Sequence, residues 1–272
     1  MESKTIGGVE IQLTPPVEVT MNWVGQEEVV QQLMAAWTVT SSADLPMNPR
    51  LIGKPGVGKT TLAYTVAKAL KKPVWLFQAT MDTRPEDLLI SPVISEGQQI
   101  KYVASSLVSA VIGGGVCILD EGNRMSEKSW ASLAPLLDHR RYIESIVAGV
   151  TIKAHPEFRF CTTMNEDSST YEIPEYILSR IQPGIHIDFP SEDEEYSILK
   201  ENVPFVQEEI LRYVVEFLQR SHLRNRMYTI RDGINIARYA FKLVSHKKTS
   251  MGDSFLKSVE MVLGKEETED LV

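Results

Sequence analysis

The stretch LIGKPGVGKTT, Leu51 to Thr61, constrains this chain more than any other. An apolar strand end runs into a Gly-rich loop, then into a helix expected to continue to about Leu70. The spacing G-x-x-x-x-G-K-T puts Gly53, Gly58, Lys59 and Thr60 in the fixed positions of a polyphosphate-gripping loop. Gly56 and Gly58 permit positive φ, so successive N–H groups turn inward on an anion. The helix beginning near Lys59 aims its positive end at the same point. Lys59 is expected to reach the β- and γ-phosphates of a nucleotide, and the Thr60 hydroxyl to hold Mg²⁺. An ordinary Gly-rich turn is the plain alternative. The preceding strand and the amphipathic helix after it (Leu62, Val66, Ala69, Leu70) favour nucleotide binding. The expected contact set is Pro55, Gly56, Val57, Gly58, Lys59, Thr60 and Thr61.

A chain of 272 residues suits one large α/β domain plus a small second one, and 43% hydrophobic content suffices for a sizeable core. The net charge of −8 argues against broad, non-specific nucleic-acid binding. Cys117 and Cys161 each sit inside an apolar run and read as reduced core residues. His139, His155, His186, His222 and His246 show no ligand spacing, which speaks against a His/Cys metal site. The N-terminus lacks a basic segment followed by an apolar one, and no apolar run is long enough for a membrane span. A cytoplasmic location is therefore expected.

Residues 1–18 contain Pro15-Pro16 and read as a loosely held N-terminal arm. A helix follows Val24-Gly25, with Val29, Val30, Leu33 and Trp37 at helical spacing. Strands are expected at about 49–52, 73–79, 116–121, 158–165 and 184–190, with helices between them at about 59–70, 105–112, 127–138 and 173–181 and a short one near 81–89. Two hairpins are expected, at 92–103 around Glu96-Gly97 and at 140–153. Strands alternating with helices imply a parallel five-stranded sheet sandwiched by helices, an αβα core over 19–190. Helical periodicity at about 192–200, 205–220 and 230–245 predicts a small all-α lid domain over 191–247. Residues 248–272 read as a C-terminal tail with a frayed acidic end, KEETED.

The apolar strand Val116 to Leu119 ends in Asp120-Glu121 and delivers two carboxylates to the sheet edge where the phosphate loop sits. Asp120 suits Mg²⁺, mostly through water, and Glu121 suits a general base that polarises water for attack on the γ-phosphate. Asn165, at the end of FRFCTTMN, could simply cap a turn. Beside the Asp-Glu strand, its amide can instead orient the attacking water or the γ-phosphate.

The order GKPGVGKT, LDEGNRM, TTMNE, IPEYILSRI, TIRDGINIAR resembles an AAA+ P-loop ATPase over about residues 20–240. More narrowly it is similar to the MoxR branch, with its CbbQ, NorQ and McrB-like relatives. Those proteins carry Asp-Glu followed by Asn-Arg, matched here by Asp120-Glu121-Gly122-Asn123-Arg124, and two hairpin insertions. The resemblance implies that Arg180 is an arginine finger acting in trans, although Ser179 stands where relatives often have Asp, and a surface salt bridge is the plain alternative. It implies that Arg231 contacts the γ-phosphate from the lid, with Arg224 and Arg238 as competitors. Val24 and Gly25 match the segment lining the adenine, and Asn123 and Arg124 suit an interface rather than catalysis.

A trans finger implies a homo-oligomeric ring, most simply a hexamer. In that family ATP hydrolysis remodels or activates a separate partner protein, often one with a von Willebrand A domain. The hairpins are the expected working surfaces. Tyr102 and Tyr142 are the residues to suspect, although an aromatic in a hairpin is more often a cross-strand packing residue. The second reading is an ATPase or GTPase motor subunit of a nucleic-acid-acting complex, such as a restriction or defence system. A guanine-specifying Asn-Lys-x-Asp and a Leu-Ser-Gly-Gly signature are both absent.

Overall fold

The structure, a computed structural model, describes residues 2–20, 22–94, 99–166, 172–224, 226–247 and 250–266. By internal contacts the chain divides into two units. One comprises Met1–Asn22, Glu27–Gly53 and Lys59–Ile187; the other comprises Trp23–Gln26, Lys54–Gly58 and Asp188–Val272.

The first unit opens with a correction. The residues read as a loose arm form a hairpin, β1 (Ser3–Ile6) and β2 (Val9–Gln12). Ile11 and Leu13 are buried in the main core cluster. The Pro-containing stretch after them is tied down as well: Thr14 N–H donates to Ser109 Oγ at 2.9 Å, and Val17 N–H to the Val74 carbonyl at 2.8 Å. Four-residue strands carry too little periodicity to be read alone, and a partner strand settles their pairing.

Helix α1 (Glu27–Trp37) leads to β3 (Arg50–Gly53), α2 (Lys59–Ala69), β4 (Val74–Gln78) and one turn, α3 (Pro85–Leu88). The first expected hairpin has its strands at β5 (Ile90–Ile94) and β6 (Ile100–Ala104). Its turn, at Glu96-Gly97, lies outside the described residues. Strand β2 adds in parallel to β6, giving a small sheet of order β1–β2–β6–β5. Helix α4 (Ser106–Gly113) is capped by the Ser105 hydroxyl and ends at left-handed Gly114.

After β7 (Val116–Asp120), α5 (Glu127–Leu133) starts at the Ser126 cap but stops short of the expected Asp138. Pro135 lacks the N–H that would extend it. The second hairpin, β8 (Tyr142–Ser145) and β9 (Val150–Lys153), precedes β10 (Arg159–Asn165). The turn of the N-terminal hairpin abuts it: a Cβ on Gly7 would lie 3.3 Å from a Val150 methyl. A single turn, α6 (Glu175–Leu178), replaces the longer helix expected there, and β11 (Gly184–Ile187) closes the unit.

The main sheet is parallel throughout, in the order β11–β3–β10–β7–β4. Gly53 is in register with Asn165, and Asp120 with Gln78, so the chemically interesting residues share the carboxyl edge. Strand β10 is buried along its whole length, as a strand covered on both faces must be. Cys117 and Leu119, two residues apart, point into the cluster that holds Leu107, Val108 and Val111 of α4. Burial pushes the thiols of Cys117 and Cys161 up, and both are free.

The second unit contains α7 (Glu192–Asn202), α8 (Glu208–Leu223), α9 (Ile230–Lys247) and α10 (Met251–Leu263). The last corrects the expected tail. Phe255 and Val259 enter the same buried cluster as Leu199, Ile210, Val214, Leu218 and Ile236, so 251–263 is a fourth structural helix. The end of the acidic run, from Glu267 onward, lies outside the described residues.

Candidate functional site

In the first unit, a connected set of side chains gathers at the carboxyl edge of the main sheet. Lys59 is buried at the start of α2, and its ammonium donates to the Gly53 carbonyl at 2.8 Å. The Thr60 hydroxyl donates to Asp120 Oδ1 at 2.7 Å. These two oxygen-bearing side chains, one on α2 and one at the end of β7, are thus held together.

Thr163 extends the set. Its hydroxyl donates to Asp120 Oδ1 at 2.6 Å and accepts the Glu121 N–H at 2.9 Å. Two residues further along β10, and so on the same side of the strand, the Asn165 amide donates to Glu121 Oε1 at 3.0 Å. Arg124 Nε donates to Glu121 Oε2 at 2.6 Å. Asn123 backs the arrangement by donating to the Asn165 carbonyl at 2.8 Å. Glu121 itself is left-handed, with φ of 56°, an uncommon conformation for a non-Gly residue. Thr60, Asp120, Glu121 and Asn165, all anticipated from sequence, are therefore joined by hydrogen bonds. Thr163 was not anticipated; period-2 alternation with Asn165 along β10 was the available signal.

Arg180 has different partners. Its Nε lies 3.4 Å from Asp138 Oδ2, its Nη1 donates to the Tyr176 carbonyl, and its own carbonyl accepts from Asn48. Arg140 takes the same carboxylate, with Nη2 at 2.8 Å from Oδ2. The Arg140 hydrogen bond holds the Asp138 carboxyl well below the usual carboxylate range, with Arg180 contributing. Asp138 is thus ionised and shared between two guanidinium groups.

In the second unit, Gly56 and Gly58 have φ of 88° and 98°, as an inward-turned phosphate loop requires. A Cβ on Gly56 would lie 2.5 Å from Thr229 Oγ1 and 3.3 Å from Arg231 Cβ. Only glycine fits there, and the Arg231 stem lies against the loop. Thr229 donates through its N–H and hydroxyl to Asp232 at 2.8 and 3.0 Å, fixing the first turn of α9. In the Trp23–Gln26 segment of this unit, Gly25 and Gln26 are consecutive left-handed residues.

The donor set fits the group the loop was read to bind. Left-handed glycines flank Val57 for an anion, and a hydroxyl and a carboxylate lie together for a hard cation that prefers oxygen.

Of the two tyrosines suspected as working residues, Tyr102 packs against the core cluster, and Tyr142 lies under the Arg140 guanidinium. Among the described residues, the exposed apolar residues of the hairpins are instead Val93, Ile94 and Ile100 on one and Ile146 and Val147 on the other, with Ile146 at 91% exposure.

The family model for the AAA domain (dynein-related subfamily) matches residues 50–181. An uncharacterized protein of Staphylococcus aureus is 30% identical over 179 residues, 64% of this chain and 68% of that protein. Another, of Staphylococcus epidermidis, is 29% identical over 178 residues, 64% of this chain and 67% of that protein. Among solved structures, the Thermotoga maritima RuvB Holliday junction branch migration motor matches with a TM-score of 0.60 at 17% identity. The match covers 90% of this chain and 72% of that one, a likeness of fold.

Proposed function

The chain belongs to the AAA+ P-loop ATPases and hydrolyses ATP with Mg²⁺, and from that premise we propose a MoxR-type ring that remodels or activates a partner protein. The observation that carries the catalytic part is the hydrogen-bonded run Thr60–Asp120–Thr163–Glu121–Asn165. Bound ATP supplies the scissile phosphoanhydride, and Mg²⁺ offsets the charge of its phosphates. Thr60 and Asp120 hold the cation, and Lys59 and the 54–58 loop hold the phosphates. Glu121 takes a proton from the attacking water, which Asn165 orients. In this structure both carboxylate oxygens of Glu121 are engaged, so it turns toward water by loosening its Arg124 contact.

Arg180 acts in trans, its Asp138 pair breaking when a neighbouring subunit presents its phosphates. Arg231 reads the γ-phosphate from α9, and Val24 and Gly25 line the adenine. The exposed Ile146 and Val147, and Ile94 and Ile100, support a protein partner, because bare apolar tips suit protein contact better than a phosphate backbone. That partner is a separate polypeptide, of the von Willebrand A type. No helix among the described residues is long and apolar enough to cross a membrane, and the ring works in the cytoplasm.

The test is ATP turnover across a protein dilution series, beside Glu121→Gln and Arg180→Ala. Specific activity should rise with concentration, and both variants should be inactive yet bind ATP. Mixing them should restore part of the turnover. Activity independent of concentration, with Arg180→Ala normal, would remove the finger and the ring together. Salt-dependent binding of DNA or RNA by the assembled protein would favour the motor reading instead.

A further inference from the structure

The turn at Trp23–Gln26 is built in a way its own residues do not explain. Gly25 and Gln26 have φ of 76° and 43°, and the second has no glycine to ease it. Two contacts hold the turn. The Trp23 indole N–H donates to the Gly25 carbonyl at 2.7 Å. The Gln26 N–H donates to Glu194 Oε1, 168 residues away, at 2.7 Å.

Glu194 belongs to the first turn of α7, beside Glu192, Asp193 and Glu195. Its other oxygen accepts the N–H and the hydroxyl of Ser191, each at 2.9 Å, closing the capping box of that helix. One carboxylate therefore serves a helix cap and a distant turn at once. The fit is tight: a Cβ on Gly25 would lie 2.3 Å from Glu194 Oε1 and 2.6 Å from its Cδ. The Gln26 amide, with Ser191, holds this carboxyl below the usual range, so it is ionised at neutral pH. With the Gly25 carbonyl and the Gln26 N–H both taken, Val24 keeps its N–H and carbonyl without a partner among the described residues. An adjacent donor and acceptor of this kind match the hydrogen-bonding edge of an adenine.

We propose that Glu194 is a positioning residue for the nucleotide base, holding the Val24–Gly25–Gln26 turn in its binding conformation. The inference rests on the reading of Val24 and Gly25 as the adenine-lining segment. Glu194 touches neither phosphate nor metal, so its loss weakens binding without slowing the chemical step.

The experiment compares Glu194→Ala, Glu194→Gln and Ser191→Ala in the full chain, by ADP titration, ATP turnover and hydrogen exchange at the Gln26 amide. Glu194→Ala should speed exchange at Gln26 and raise the Kd for ADP about tenfold, the usual scale for a lost hydrogen bond to a charged group. Its kcat at saturating ATP should stay within about twofold, as for uniform binding lost. Glu194→Gln keeps the shape and one acceptor, so it should fall between, and it carries the test if the alanine variant does not fold. Ser191→Ala weakens the helix cap but leaves the Gln26 contact; it should lower Tm and leave the Kd unchanged. An unchanged Kd in Glu194→Ala, or an equal rise in Ser191→Ala, would overturn the proposal. Val24→Glu separates the two readings. If it too leaves ADP affinity unchanged, the adenine assignment falls and takes the proposal with it. If it weakens binding while Glu194→Ala does not, only the role of Glu194 falls.

Discussion

Thr163 is the residue whose role is least visible from its neighbours in sequence and most exposed to test. Its hydroxyl links the Asp120 carboxylate to the Glu121 backbone. Valine keeps the shape but leaves the Glu121 N–H without its acceptor, a cost of about 1–3 kcal/mol, and leaves Asp120 with the Thr60 hydroxyl but one donor fewer. Thr163→Val should therefore reduce kcat about tenfold or more and raise the Mg²⁺ concentration needed for half-maximal turnover. Thr163→Ser, which keeps the hydroxyl, should restore most of both. Equal kinetics in Thr163→Val and the parent chain would show that Asp120 and Glu121 are placed without it.

At the scale of elements, two segments that read as loose ends are structural. Ile11 of β2 is fully buried, and Phe255 of α10 is nearly so. Ile11→Ala should cost about 2–4 kcal/mol and Phe255→Ala about 3–4 kcal/mol in urea unfolding, the usual range for emptying a packed site. A frayed arm or tail would show changes near zero in the same measurement. The N-terminal hairpin also matters by position, because its turn abuts β9, one strand of the hairpin whose tip bears Ile146 and Val147. Loss of β1 and β2 should thus impair partner capture more than it impairs nucleotide binding.

For the molecule as a whole, pH acts through a buried pair in the second unit. Glu195 is fully buried, accepts from Gln219 at 2.9 Å, and lies 3.9 Å from His222 Nδ1. Burial pushes its carboxyl up to about 7 from 4.5, with Glu192 adding to the rise and Gln219 opposing it. Between those values the folded state keeps a proton the unfolded chain has lost, so stability falls as pH rises toward 7. His222 acts in the opposite sense. Burial lowers its imidazole below 6.5, so its contribution grows with pH and is complete near that value. Above about pH 6.5 the Glu195 effect therefore stands alone, and raising pH to about 8 should cost on the order of 1 kcal/mol. Glu195→Gln should abolish that slope in denaturant titrations at the two pH values. A slope that survives the substitution would place its origin elsewhere.

What could be read from the sequence was what its chemistry keeps local. The phosphate loop grips an anion through the backbone of consecutive residues, so spacing alone named Gly56, Gly58, Lys59 and Thr60. The apolar runs of β7 and β10 announced a sheet covered on both faces, and their ends named Asp120, Glu121 and Asn165. The tertiary structure decided what depends on partners far along the chain. Strands β1 and β2 are too short to declare themselves and exist by pairing, β1 with β2 and β2 with β6. Helix α10 looks like a tail until Phe255 and Val259 find the buried faces of the other helices. Asp138 reaches Arg180, and Glu194 reaches Gln26, across sequence distances that no periodicity records. A hydrogen bond between two polar side chains leaves no pattern in sequence, because either residue alone reads as an ordinary cap or surface charge until folding brings its partner within reach.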